Sequence, residues 1–298
     1  MNSLKTLLSR LTFAFLLLAL SATASFAEIR TENLWWLPDN VTVGGKKIDF
    51  LFYFIFFLTT AVFVATFVVQ FWFMIKYRAR RGVKAHYTHG NNTLEIIWTT
   101  IPAVIFIGLF IGSNRLWNEL RHTPAPPDAL QVDILAEQYG WNLRYPGPDG
   151  VLGRTDPKKV DPIHNKYGLD LTDPASRDDF ITYNDFTIPV GKPVHVLLKS
   201  RDVIHAFYVP EFRMYQDLVP GRTISWVWFE TTRTGTFAIA CNQLCGSGHY
   251  NMQSKADVVT GEAYAAWFAS KAKNPAAPAI EQAPPLASTA APSSISTP

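Results

Sequence analysis

Two long stretches without a charged residue decide most of what this chain can become. Residues 50–75 contain no Asp, Glu, Lys or Arg and are dense in Phe, Val, Leu and Thr, and residues 96–114 contain none either. A helix of the first length crosses a bilayer with some tilt. The second, at about 1.5 Å per residue, reaches roughly 29 Å, which matches the hydrocarbon core. Pro102 lies inside the second run, where a membrane helix tolerates it if neighbours satisfy the freed carbonyl. Spans are therefore expected at 50–75 and 96–116, joined by a loop at 76–95. That loop carries Lys76, Arg78, Arg80, Arg81 and Lys84 with no acid between them. The positive-inside rule puts it in the cytoplasm and both outer ends of the hairpin on the exported side. Trp72 and Trp98 sit near one end, and Trp35, Trp36 and Trp117 near the other, as an aromatic belt requires. Two buried helices of a soluble protein would explain neither the belt nor the basic loop.

The first residues agree with this topology. Lys5 and Arg10 precede an apolar run from Leu11 to Leu20, and small residues lead to Ser25-Phe26-Ala27. This is the form of a secretory signal over 1–27, cut after Ala27, and the run is too short for a spanning helix. Residues 28–49 then form an exported segment. Charged residues make up only 17% of the chain, yet mean hydropathy is just +0.06, so a polar part must offset the apolar one. A net charge of +3 is too small to argue for a nucleic-acid partner, no basic cluster is interleaved with aromatics, and none is expected.

That polar part follows a Pro-rich linker at 117–127. From Leu130 the texture alternates apolar and polar, as in a half-buried strand. Strand-like runs recur at 180–188, 194–198, 223–229 and 235–240, separated by turn residues at 146–150, 189–191 and 220–221. Such punctuation predicts an antiparallel sandwich or barrel over 128–272, with a helix at 261–271. Residues 273–298, rich in Pro, Ala, Ser and Thr, bury too little to order themselves. Asp170, Asp173, Asp178 and Asp179 fall in an acidic stretch at 149–185. Their spacing matches no calcium loop, so they read as solvated acids.

Chemistry concentrates at 241–252, Cys-Asn-Gln-Leu-Cys-Gly-Ser-Gly-His-Tyr-Asn-Met, with a further imidazole, His205, in Asp202-Val-Ile-His. Soft sulfur with imidazole selects copper over calcium or magnesium. One Cys, two His and one Met would make a mononuclear blue-copper site. The second Cys allows two thiolates to bridge two coppers that share one unpaired electron. A disulfide between Cys241 and Cys245, or a Cys2His2 zinc site, uses the same residues.

The hairpin and these motifs together resemble cytochrome oxidase subunit II, and the metal loop resembles its dinuclear CuA centre. The resemblance spans roughly residues 45–270. Asn92-Thr-Leu-Glu-Ile-Ile-Trp-Thr-Thr-Ile-Pro102 is similar to the family's second-helix signature, and Asp202–His205, Val209-Pro210 and Val219-Pro-Gly-Arg222 to its domain signatures. It implies a two-helix transmembrane hairpin followed by an all-β, cupredoxin-like Greek-key sandwich. It implies that Cys241 and Cys245 bridge both coppers, that His205 and Met252 complete one, and that His249 and the carbonyl of Gln243 complete the other. It implies subunit I and subunit III as partners in a proton-translocating oxidase of the bacterial plasma membrane, cytochrome c as donor, and a haem in subunit I as acceptor. Glu95, at the cytoplasmic mouth of the second span, takes the place of a proton-pathway entrance.

Three departures stand out. Gln243 replaces the family's usual Glu, which puts a magnesium site at the subunit I boundary in doubt. Tyr139 stands where the electron-accepting segment usually carries Trp. No Cys-x-x-Cys-His motif is present, so no covalent haem is attached. A quinol oxidase subunit would lack the metal ligands, and nitrous oxide reductase would be a much longer soluble chain. A membrane-anchored copper carrier is the non-enzymatic alternative. The domain from Asp128 to Lys271 has 17 acids and 14 bases, a net of −3. Mild steering of a basic donor is therefore expected, with Asp202 and Glu211 as the acids nearest the His205 motif.

Overall fold

The computed structural model describes residues 36–276, apart from 85, 86 and 88. The expected signal segment and nearly all of the expected tail lie outside the described residues. Of a first unit, residues 1–40, only 36–40 are described; the second unit runs from Val41 onward.

Helix α1 spans Gly45–Lys76 and α2 spans Asn92–Arg121. Both contain a stretch long and apolar enough to cross a membrane. Phenylalanines such as Phe54, Phe57, Phe63 and Phe71 are exposed along α1. A helix apolar on all sides needs lipid or another chain around it. The Asn91 side chain caps α2 by accepting from Leu94 N–H at 3.1 Å, and the helix runs through Pro102 without ending.

Ten strands follow. One sheet has the order β3-β2-β1-β5-β8, and the other β4-β10-β9-β6-β7. The strands are β1 (Leu130–Glu137), β2 (Gly140–Tyr145), β3 (Phe180–Tyr183), β4 (Asp185–Pro189), β5 (Pro193–Ser200), β6 (His205–Val209), β7 (Met214–Leu218), β8 (Ile224–Glu230), β9 (Gly235–Cys241) and β10 (Gln253–Val259). Trp141, Phe186, Phe207, Ile134 and Leu198 are fully buried in one continuous core, each contributing roughly 1.5–3 kcal/mol or more by leaving water. This is the expected β-sandwich with one correction: it is not wholly antiparallel. β1 pairs with β5, and β4 with β10, in parallel. Parallel neighbours need long crossovers, and tens of residues separate each pair. The expected strand at 180–188 is two strands, divided at Asn184, whose φ is +53°. Helix α3 (Gly261–Ala272) lays Trp267 against Tyr145, ring centroids 5.1 Å apart.

The outer end of the hairpin is tied to the sandwich. Arg213 makes a two-point pair with Asp49 of α1, with Nη2 to Oδ2 at 3.1 Å. Arg121 of α2 donates to the Tyr215 carbonyl at 3.1 Å, and Trp228 Nε1 to the Thr123 carbonyl at 2.9 Å.

The acidic excursion at 149–185 is not simply solvated. Asp179 is fully buried and shares Arg144 with Asp133, both contacts at 2.9 Å. Asp170 is ion-paired with Arg154 and Lys159, and the bonds from Lys159, then those from Thr172, hold its carboxyl well below the usual range. The reason is that this segment folds back on β1 and β2. Tyr167 places its hydroxyl 2.7 Å from the Asp133 carbonyl and 2.8 Å from that of Asn142.

Candidate metal centre

The site lies where β6 begins and β9 ends. His205 is the first residue of β6 and is fully buried, and Cys241 closes β9. β6 and β9 are antiparallel neighbours, with Phe207 opposite Cys241. The loop from 242 to 252 brings the other donors back. A 3-10 turn at His249–Asn251 bends it, and Cys241 N–H donates to the Met252 carbonyl at 3.1 Å, closing its base.

The donor atoms converge. The two sulfurs stand 3.8 Å apart as free thiols, not as a disulfide. His205 Nδ1 is 3.8 Å from Cys241 Sγ, and His249 Nδ1 is 3.5 Å from Cys245 Sγ. Met252 Sδ is 3.8 Å from Cys245 Sγ, and the Gln243 carbonyl accepts from Cys241 Sγ at 3.2 Å. The ligand atoms of His205, Cys241 and Cys245 all lie within 4.8 Å of one another, the one such group among the described residues. An imidazole nitrogen thus lies within 4 Å of each thiol. Two thiols, two imidazoles and a thioether are soft donors suited to copper.

The surroundings orient these groups. His205 Nε2 meets Asp202 Oδ1 at 2.8 Å, which turns Nδ1 towards the sulfurs, as a carboxylate behind a metal-binding imidazole does. Burial pushes Asp202 upward, but its bonds to His205, Gln138 N–H and Val203 N–H outweigh this and hold it low. Burial, and then the neighbouring Cys241 thiol, push Cys245 up to about 12. Without metal it is a thiol, and a metal taking its place must displace a proton.

Tyr139 lies in the β1–β2 turn, partly exposed, with its hydroxyl 3.2 Å from Ser247 Oγ. That contact, followed by the Gly248 backbone, holds the phenol below its ordinary range. Gln243 is exposed, as is Glu95 in the first turn of α2. The structure gathers the six expected donors and sets Tyr139 against their loop. Glu95 is not among them: at about 1.5 Å per residue it stands roughly 40 Å from the far end of its helix. Asp202 is engaged with His205 and Gln138, and Glu211 buries one carboxylate oxygen without a partner. Asp202 is nonetheless exposed. Sequence reasoning missed Gln138, whose side chain donates to the Cys245 carbonyl at 2.6 Å. Its position one residue before Tyr139 was the available signal.

Fold and site together define a class: a β-sandwich carrying soft metal donors, behind a hairpin of two helices able to span a membrane. Residues 31–116 match the family model for the transmembrane domain of cytochrome c oxidase subunit II, and residues 167–259 match that for its periplasmic domain. The chain belongs to the cytochrome c oxidase subunit II family. It is 35% identical over 255 residues to the alternative cytochrome c oxidase subunit 2 of Bradyrhizobium diazoefficiens, covering 85% of this chain and 90% of that one. It is 31% identical over 268 residues to cytochrome c oxidase subunit 2 of Cereibacter sphaeroides, covering 84% and 86%. Among solved structures, the periplasmic domain of subunit II of cytochrome oxidase from Bradyrhizobium japonicum matches with 28% identity and a TM-score of 0.37, over 50% of this chain and 97% of that domain.

Proposed function

We propose that this chain takes single electrons from a cytochrome c at a dinuclear copper site and passes them to a haem in subunit I, where oxygen is reduced to water. The observation that supports it most is the placing of two free thiols 3.8 Å apart with a separate imidazole nitrogen beside each. Cys241 and Cys245 would bridge two coppers, with His205 and Met252 completing one and His249 and the Gln243 carbonyl the other. Bound there, the pair would supply a one-electron couple shared between two metals. The protein's own contribution is to hold the ligands, exclude water and fix the imidazoles. Cys241, Cys245, Met252 and His205 are all buried, so little around the metals would need to rearrange. Tyr139, at the surface and against the ligand loop, is the proposed contact nearest the donor.

The same reading puts the sandwich on the outer face of a bacterial plasma membrane, with spans at 50–75 and 96–116 and a removed signal at 1–27. Subunits I and III are the partners, and Glu95 stands at the mouth of a proton pathway. Magnesium binding beside Gln243 is weakened, because a neutral amide replaces a carboxylate.

The test is kinetic. On mixing reduced cytochrome c with the purified oxidase complex, the copper absorbance should bleach before the haem signal changes. A haem reduced first, or reduced at an undiminished rate in a Cys245→Ser complex, contradicts the proposal.

A further inference from the structure

The ligand loop must bring Cys245, His249 and Met252 back over Cys241 and His205, and one two-residue turn of the other sheet reaches into it. Gln138 and Tyr139 connect β1 to β2, yet their contacts lie on the copper loop. Gln138 Nε2 donates to the Cys245 carbonyl at 2.6 Å. The backbone N–H of the same residue donates to Asp202 Oδ2 at 2.7 Å, while Asp202 Oδ1 meets His205 Nε2 at 2.8 Å. Gln138 therefore joins the two separate segments that carry His205 and Cys245. Tyr139 adds a third point through Ser247.

The Gly-Ser-Gly of the loop is explained by the same turn. A Cβ at Gly246 would fall 2.5 Å from the Tyr139 hydroxyl and 2.7 Å from Gln138 Nε2; one at Gly248 would fall 2.5 Å from Tyr139 Cδ2. Gly246 also has φ +140°, a backbone region that disfavours side chains. The two glycines leave the space in which the turn sits.

We propose that the β1–β2 turn is a clasp that sets the copper loop in its metal-holding shape before metal arrives, with Gln138 as a positioning residue. The identity of the metal rests on the function proposed above; the clasp itself is a property of the metal-free loop. A loop already ordered loses less freedom on binding and holds its ligands within the narrow geometry a metal site tolerates. The turn carrying the residue nearest the donor is thereby fixed to the acceptor's ligands.

The test uses the full-length chain in detergent, with Gln138→Ala, Gln138→Glu and Gly248→Ala beside the wild type. Gln138→Glu turns a donor into a carboxylate facing the Cys245 carbonyl. Gly248→Ala displaces the Tyr139 ring and leaves Gln138 in place. In the copper-free chain, amide hydrogen exchange across 242–251 should be roughly tenfold faster in Gln138→Ala than in wild type, the size of one well-made hydrogen bond. Gln138→Glu should be faster still, and Gly248→Ala should move the same way. In the copper-loaded chain, loss of copper to a copper(I) chelator should accelerate in the same order, and the copper EPR hyperfine splitting should shift. If Gln138 serves only to touch the donor, Gln138→Glu will bind a basic cytochrome c more tightly while exchange, copper loss and EPR stay at wild-type values. That result overturns the clasp. A wild-type chain that fails to take two coppers counts against the proposed function instead, and the exchange measurement still decides the clasp.

Discussion

At the scale of single residues, the site divides into groups that would touch metal and groups that aim them. Asp202 belongs to the second kind. Truncating it leaves His205 Nε2 without its partner at 2.8 Å, so Asp202→Ala should weaken copper binding by roughly 10–100-fold, the usual cost of losing an outer-shell carboxylate. Competition with a copper chelator would measure it, and unchanged affinity would show that β6 alone orients the ring. Gln243 separates two duties. Its carbonyl lies 3.2 Å from Cys241 Sγ, and any residue supplies a carbonyl, but its exposed side chain brings no charge. Complex grown with excess manganese should hold little of it by EPR, and more in Gln243→Glu; stoichiometric manganese in the wild type would show that the carboxylate is not needed. The donor residues were legible in the sequence because a short run carries most of them. Gln138 was legible only as the neighbour of Tyr139, because its hydrogen bond to Cys245 spans 107 positions.

At the scale of elements, periodicity found several strands with one wet face and missed β2 and β6 for a physical reason. Every residue of β2 is buried, including Asn142 and Arg144, because the 149–185 excursion covers its outer face and erases the alternation. β6 is buried nearly throughout and reads as part of the metal motif. Nor does alternation tell parallel from antiparallel neighbours, hence the correction at β1/β5 and β4/β10. The excursion has its own pH response. Burial raises the Asp179 carboxyl to about 6, with Asp178 and Asp149 adding to the rise and Arg144 and Gly153 N–H opposing it. The folded state therefore favours the protonated acid. This contribution is fully present below the unfolded value of about 3.9 and is lost as pH rises through about 6. The fall in melting temperature between those values should be smaller in Asp179→Asn than in wild type; parallel curves would place the response elsewhere.

At the scale of the whole molecule, the hairpin and the sandwich are joined by Arg213–Asp49, Arg121 and Trp228, which fix the metal loop relative to the spans. The charge of the outer domain is modest, 17 acids against 14 bases between Asp128 and Lys271, and Asp202, though exposed, is bonded to His205 and Gln138. Association with a basic cytochrome c should accordingly slow only shallowly as salt is added; a rate that rises with salt would rule out this donor surface. The proposed electron transfer depends on two metals sharing one electron between Cys241 and Cys245. The most direct measurement is the copper content and EPR spectrum of the copper-loaded full-length chain in detergent. Two coppers per chain with a seven-line hyperfine pattern, abolished in Cys245→Ser, are expected. One copper per chain with a four-line pattern, or bound copper that stays EPR-silent after oxidation, would contradict it.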